Sequence, residues 1–154
     1  MAGSVEELIE RAGAVLRELA VVDLDGVPAA ELSESVLSMQ RLRGRLEAAE
    51  ARVLARWDTD GLWRASGARS AAGWLARHQH LPLPVARQRL RHARAARDLP
   101  VLEAAWSGGD LDRAHVTTLV GVRNERTADA FDHAHHHLVD AARTMPFTHF
   151  KATC

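Results

Sequence analysis

The densest set of side chains able to bind a metal or move a proton is Asp132-His133-Ala134-His135-His136-His137. Placed on a helix, Phe131, Leu138 and Ala142 face inward, while His133, His137 and Asp140 share the outer face at i, i+4 and i+7. Those three have the spacing of a helical His-x3-His metal pair with a carboxylate behind it. A zinc-protease helix needs Glu directly after the first His, and Ala134 stands there instead. The trio is therefore the one candidate metal site, set against the plainer reading of surface histidines on a polar face. His135, at the edge of the apolar side, is expected to be partly buried. Nucleophilic chemistry has less to work with. Cys154 is the only cysteine and the last residue, and no Gly-x-Ser-x-Gly elbow exists. Ser107-Gly108-Gly109-Asp110 lacks the lysine and the preceding strand of a phosphate-binding loop. The expectation is a chain without catalysis or a cofactor of its own.

The remaining chemistry is cationic. From Gly61 through Arg97 there is no Asp or Glu, while Arg64, Arg69, Arg77, Arg87, Arg89, Arg91, Arg94 and Arg97 are all basic. Net charge is zero over 154 residues, yet residues 1–40 carry −6, residues 41–97 carry +9 and residues 98–154 carry −3. A neutral total with a positive centre points to a local anionic partner or to pairing between segments of the chain. On a helix, Ala86, Leu90 and Ala93 fall on one face, and Arg87, Arg91 and Arg94 make a stripe about 100° away. Arg97 falls at about the angle of Leu90 and is expected on the core side. A basic stripe on the second of two short helices is the outline of a helix-turn-helix, whose arginines would meet phosphates. The competing reading is a solvated face, because nineteen of the twenty basic residues are Arg and Ala is abundant, the habit of a GC-rich genome.

The elements that must position these residues read as helices throughout. Apolar residues make up 47% of the chain and aromatic ones only 5%, so the core must rest on Ala, Leu and Val with a few Trp anchors. Trp74 is expected to be one of the buried ones. Ser4-Val5-Glu6-Glu7 is a capping box, followed by an apolar face of Val5, Leu8, Ala12, Val15, Leu16 and Leu19. Pro28 then opens a helix that runs to about Thr59, in which Leu32, Val36, Met39, Leu46, Val53 and Trp57 keep a near-heptad spacing broken by Arg43 and Glu50. A helix over 28–59 either spans the domain or pairs with a second copy, and the interrupting charges favour pairing within the chain. Asp60-Gly61 stops it. Ser70 caps the Trp74 helix, Pro82 and Pro84 mark a turn, and Leu99-Pro100 closes the arginine helix. Leu102, Ala105 and Trp106 face inward up to Gly108-Gly109. Asp110 or Asp112 caps the next helix, Asn124 caps one running through Arg143, and Thr144-Met145-Pro146 opens the last. Trp74…Leu81…Ala86 and Trp106…Leu111…Val116 hint at duplicated helix-turn-helix units. No strand alternation appears, so the fold class is all-α: a multi-helix bundle with one long helix. No signal peptide or stretch of about 20 apolar residues is present, so the expected setting is cytoplasmic, with no membrane partner.

Gly61-Leu62-Trp63-Arg64, then Ser66-Gly67-Ala68-Arg69-Ser70-Ala71-Ala72-Gly73-Trp74-Leu75-Ala76, resembles the signature of domain of unknown function 222, also called the 13E12 repeat family, whose members are mostly actinobacterial. The likeness continues through Leu81…Ala86-Arg87…Leu90…Ala93-Arg94 and Gly109-Asp110-Leu111…Ala114-His115-Val116, and covers most of the chain. Where that family commonly has Ser before Pro at the start of the arginine helix, Pro82-Leu83-Pro84 supplies no side-chain cap. The resemblance implies a helical region that precedes a C-terminal HNH nuclease domain, so residues 1–154 read as one helical domain, the N-terminal part of a longer protein cut before that module. A divalent metal is implied only for the HNH part, and no catalytic residue carries over. Two functions follow as expectations: a DNA-binding module acting through Arg87, Arg91 and Arg94 with Arg64, Arg69 and Arg77, or a structural module that self-associates through the long helix without touching nucleic acid.

Overall fold

Small polar residues and prolines set most of the helix boundaries. The computed structural model describes residues 3–154, and these form eight α-helices, one 3₁₀ turn and no strand. The helices are α1 (Val5–Val21), α2 (Ala29–Thr59), α3 (Ala71–His78), α4 (Leu83–Asp98), α5 (Pro100–Gly108), α6 (Arg113–Val122), α7 (Ala128–Thr144) and α8 (Phe147–Thr153); the 3₁₀ turn is Leu62–Ser66. Among the described residues no helix is long and apolar enough to cross a membrane. The chain divides into two compact units, one ending at Ser35 and one running from Val36 to Cys154.

In the first unit the expected capping box opens α1: Ser4 Oγ accepts from the Glu7 N–H at 3.2 Å, and Glu7 Oε2 accepts from the Ser4 N–H at 2.8 Å. The amphipathic pattern is present, but among the described residues α1 has none buried, and Val5, Ile9 and Val15 are each more than half exposed. Asp23 and a left-handed Gly26 (φ 81°) turn the chain, and the Pro28 carbonyl accepts the first α2 hydrogen bond, from Leu32.

The second unit holds the core. Within it α2 buries Gly44, Ala48, Ala51, Leu54 and Ala55, a face of small residues on the side opposite the near-heptad row. That row is solvent-exposed at Val36, Met39, Leu46 and Val53, which overturns the expected pairing of this seam within the chain. Small residues win because they let backbones approach. A Cβ on Gly44 would stand 2.5 Å from the Leu111 carbonyl oxygen, so the loop before α6 lies directly on α2 at that point. Helix α4 touches α3, α5 and α6 and buries Ala86, Leu90, His92, Ala93 and Ala96. Leu102, Trp106, Leu111, Val116, Leu119 and Phe150 complete the interior.

Other boundaries match their sequence signals. Ser70 Oγ caps α3 by accepting from the Gly73 N–H at 3.0 Å, Gly109 ends α5 with φ 83°, and Asp112 caps α6 through the Ala114 and His115 N–H groups. Asn124 does not cap α7. Its Oδ1 accepts from Arg126 N–H in a local turn, and the helix starts only after Thr127. Trp74 is half-buried rather than buried. It leans on Trp57 with ring centres 4.8 Å apart and stacks on His78 at 4.0 Å, where one face of the ring meets a surface imidazole. The fully enclosed indole is Trp106, 2% exposed.

Candidate nucleic-acid interface

The α3–α4 unit has helix-turn-helix order. Gln79 ends α3, His80 takes a left-handed conformation (φ 53°), and the Leu81 N–H returns to the Ala76 carbonyl at 3.0 Å, a Schellman-type stop. Pro82 precedes α4 without a side-chain cap, as its residue type requires.

Burial covers most of the circumference of α4, because α2, α3, α5 and α6 all meet it. The part left open is an arc of about 60°, at 100° per residue, occupied by Arg87, Arg91 and Arg94, all exposed. The three are not equivalent. Arg94 Nε and Nη2 donate to the two carboxylate oxygens of Asp58 on α2, at 2.8 and 3.2 Å. Asp58 is only 10% exposed, and its hydrogen bond raises the guanidinium pKa above the ordinary arginine value. Arg87 and Arg91 have no hydrogen-bond or carboxylate partner among the described residues. Neither do Arg69 and Arg77, both exposed, and Arg64 lies over the Trp63 ring at 4.9 Å.

Arg97 does not reach the core. It sits in the last turn of α4 with its side chain at the surface, and donates to Asp98 at 2.8 Å and to Thr59 Oγ1, at the end of α2, at 3.2 Å. With Arg52 and Arg56 it rims a groove of about 460 Å³ floored by Ala55, Ala96 and Pro100. Arg56 is itself paired with Asp60 at 2.7 Å.

Further inside, the bundle contains a polar cluster with no sequence signal beyond the place of Glu50 in the broken seam. Glu50 pairs with Arg89 at 2.7 Å and Glu47 with Arg113 at 2.9 Å, both across helices. His92, 5% exposed, has its pKa pushed down to about 4, by burial first and then by the nearby Arg113 and Arg91 charges. His92 lies about 120° round α4 from the centre of the Ala86–Leu90–Ala93 face, at 100° per residue. It is buried because α4 is enclosed on several sides.

The histidine-rich helix α7 behaves as packing and surface. Phe131 and Ala142 are buried, and His135 is half-buried with its ring stacked on Phe131 at 5.9 Å. Among the described residues no three His, Cys, Asp or Glu side chains come together as a metal-ligand set, so His133, His137 and Asp140 are not assembled as one. His133 Nδ1 instead bonds to the Asp129 carbonyl oxygen.

The family model described as Domain of unknown function (DUF222) matches residues 33–149. The chain belongs to that family. No curated protein and no solved structure matches the chain. The DUF222 region takes in α2 from its second turn onward, the whole arginine face and α7, and leaves α1 outside it.

Proposed function

We propose that this DUF222 chain is a non-catalytic nucleic-acid-binding module. It grips the phosphate backbone through Arg87 and Arg91 of α4, with Arg77, Arg69 and Arg64 in support. In a parent protein carrying an HNH domain, as the sequence resemblance implies, its task is to hold DNA for that nuclease. The observation that carries this reading is that these five arginines are exposed and without carboxylate partners, on a stretch free of acids. Free guanidinium groups beside a helix-turn-helix answer to phosphate geometry. Phosphate contacts position a protein without reading bases, so binding is weak and indifferent to sequence. Salt dependence of binding to a short duplex tests it, with Arg87→Ala/Arg91→Ala as the variant. An unchanged salt slope refutes it.

A second reading, self-association through α2, rests on the exposed row Val36, Met39, Leu46 and Val53. Heptad rows of this kind bury themselves against another helix. A parallel pair would set Arg43 against Arg43 and Glu50 against Glu50, so the pairing is antiparallel. Sedimentation equilibrium of the wild type and of Met39→Glu/Leu46→Glu decides it. A wild type that stays monomeric at every concentration removes this reading.

A further inference from the structure

Helices α2, α4, α5 and α6 line a small, half-open chamber, walled by Glu47, Glu50, Arg89, His92, Trp106 and Arg113. Most polar atoms there are already engaged. Glu50 Oε1 accepts from Arg89 Nη1, and Glu47 Oε1 faces Arg113 Nη2. The Thr117 hydroxyl donates to the Arg113 carbonyl at 2.7 Å, so its oxygen accepts from His92 Nε2–H at 3.2 Å. Three atoms are left over. Glu47 Oε2, Arg89 Nε and Trp106 Nε1 are all buried without a partner.

The leftovers are two donors and one acceptor. Water has two lone pairs and two protons, so a single molecule has enough donors and acceptors for all three and keeps one proton for a further contact. The space open to the centre of a water molecule is about 20 Å³, and roughly 10–15 Å³ on that measure holds one. No substrate fits. Charge also selects against ions: Glu47 and Glu50 balance Arg89 and Arg113, and His92 is neutral.

We propose that this chamber is a binding site for one long-lived water molecule, which accepts from Trp106 Nε1 and Arg89 Nε and donates to Glu47 Oε2, linking α2, α4 and α5. The bridge makes Trp106 a polar anchor as well as an apolar one.

Water–protein cross-relaxation measured on the whole ¹⁵N-labelled chain tests this. The Trp106 indole proton, assigned by its disappearance in Trp106→Phe, should show a cross-peak to water with the sign of a molecule bound for longer than nanoseconds. Oxygen-17 relaxation dispersion should fall by one water in Ala51→Val, whose added methyl groups enter the chamber from α2. If Ala51→Val does not fold, the wild-type cross-peak alone decides. Absence of that cross-peak overturns the proposal. So does a bromide anomalous peak in the chamber, which would make it an anion site.

Discussion

Asp58→Asn should make nucleic-acid binding steeper in salt while making the fold weaker, because one carboxylate holds back the third member of the arginine stripe. With Asp58 in place, Arg94 presents a neutralised, doubly bonded guanidinium. Within the α4 stripe only Arg87 and Arg91 then release counterions from a duplex, in addition to whatever Arg64, Arg69 and Arg77 release. Each phosphate contact adds about 0.9 to the slope of log K against log salt, so these two contribute about 1.8. Between about 50 and 200 mM salt that amounts to roughly a 12-fold loss of affinity, which Arg87→Ala/Arg91→Ala should abolish. Arg94→Ala should leave the wild-type slope nearly unmoved. Asp58→Asn should raise it by up to about 0.9. Charge-assisted hydrogen bonds contribute about 1.5–3 kcal/mol, discounted here because Arg94 is half exposed. A loss of about 1 kcal/mol, or about 2–4 °C in Tm, should accompany the gain. Fluorescence anisotropy on a labelled duplex, with circular-dichroism melts of each variant, measures both. Equal slopes for the wild type, Asp58→Asn and Arg87→Ala/Arg91→Ala would refute the reasoning, as would an Arg94→Ala slope that falls as far as that of Arg87→Ala.

Buried His92 should make the fold acid-sensitive. Its folded pKa lies below the ordinary value, so its contribution is full above about pH 6.5 and is lost as pH falls toward about 4; the loss is about 3 kcal/mol. Urea unfolding of the wild type and His92→Gln at pH 7 and pH 4 should show that difference. Gly44→Ala should destabilise by about 1–3 kcal/mol despite the better helix former, because its methyl group meets the Leu111 carbonyl. Gly121→Ala in α6, with nothing within 4 Å of the new methyl, should instead stabilise by about 0.5 kcal/mol; both are read by thermal melts. Trp74→Ala should cost about 2–3 kcal/mol, less than Trp106→Ala at about 3–5, in the same assay, because only the second indole is enclosed.

Helix ends were legible because their causes are local. Ser4, Ser70 and Asp112 satisfy N–H groups two or three residues away, and Gly61 and Gly109 supply the left-handed stop within the same turn. Asn124 misled because an Asn serves a turn as readily as a cap. What α2 packs with was not legible. Large apolar residues at heptad spacing outweigh Gly and Ala in a pattern, whereas close approach depends on having no side chain in the way. The state of Arg94 was equally hidden, since its partner lies 36 positions away and a charge run says nothing about which cations a neighbouring helix will claim. The chamber around Trp106 draws residues from each of four helices, and no single stretch carries it.

The small-residue face of α2 has a kinetic consequence. Along Ala48, Ala51 and Ala55 the surface looks much the same after a slip of one turn, about 5.4 Å, so apart from Gly44, which alone admits the Leu111 carbonyl, apolar collapse does little to distinguish one register from the next. The pairs Glu47–Arg113, Glu50–Arg89 and Asp58–Arg94 would all break together on such a slip. The ion pairs therefore act as a combination lock. Collapse brings α2 to alignments a turn apart, and the chain searches among them until Gly44 meets the Leu111 carbonyl and three charges find their partners at once. Refolding should accordingly slow when salt screens that search, even where the finished protein loses little stability.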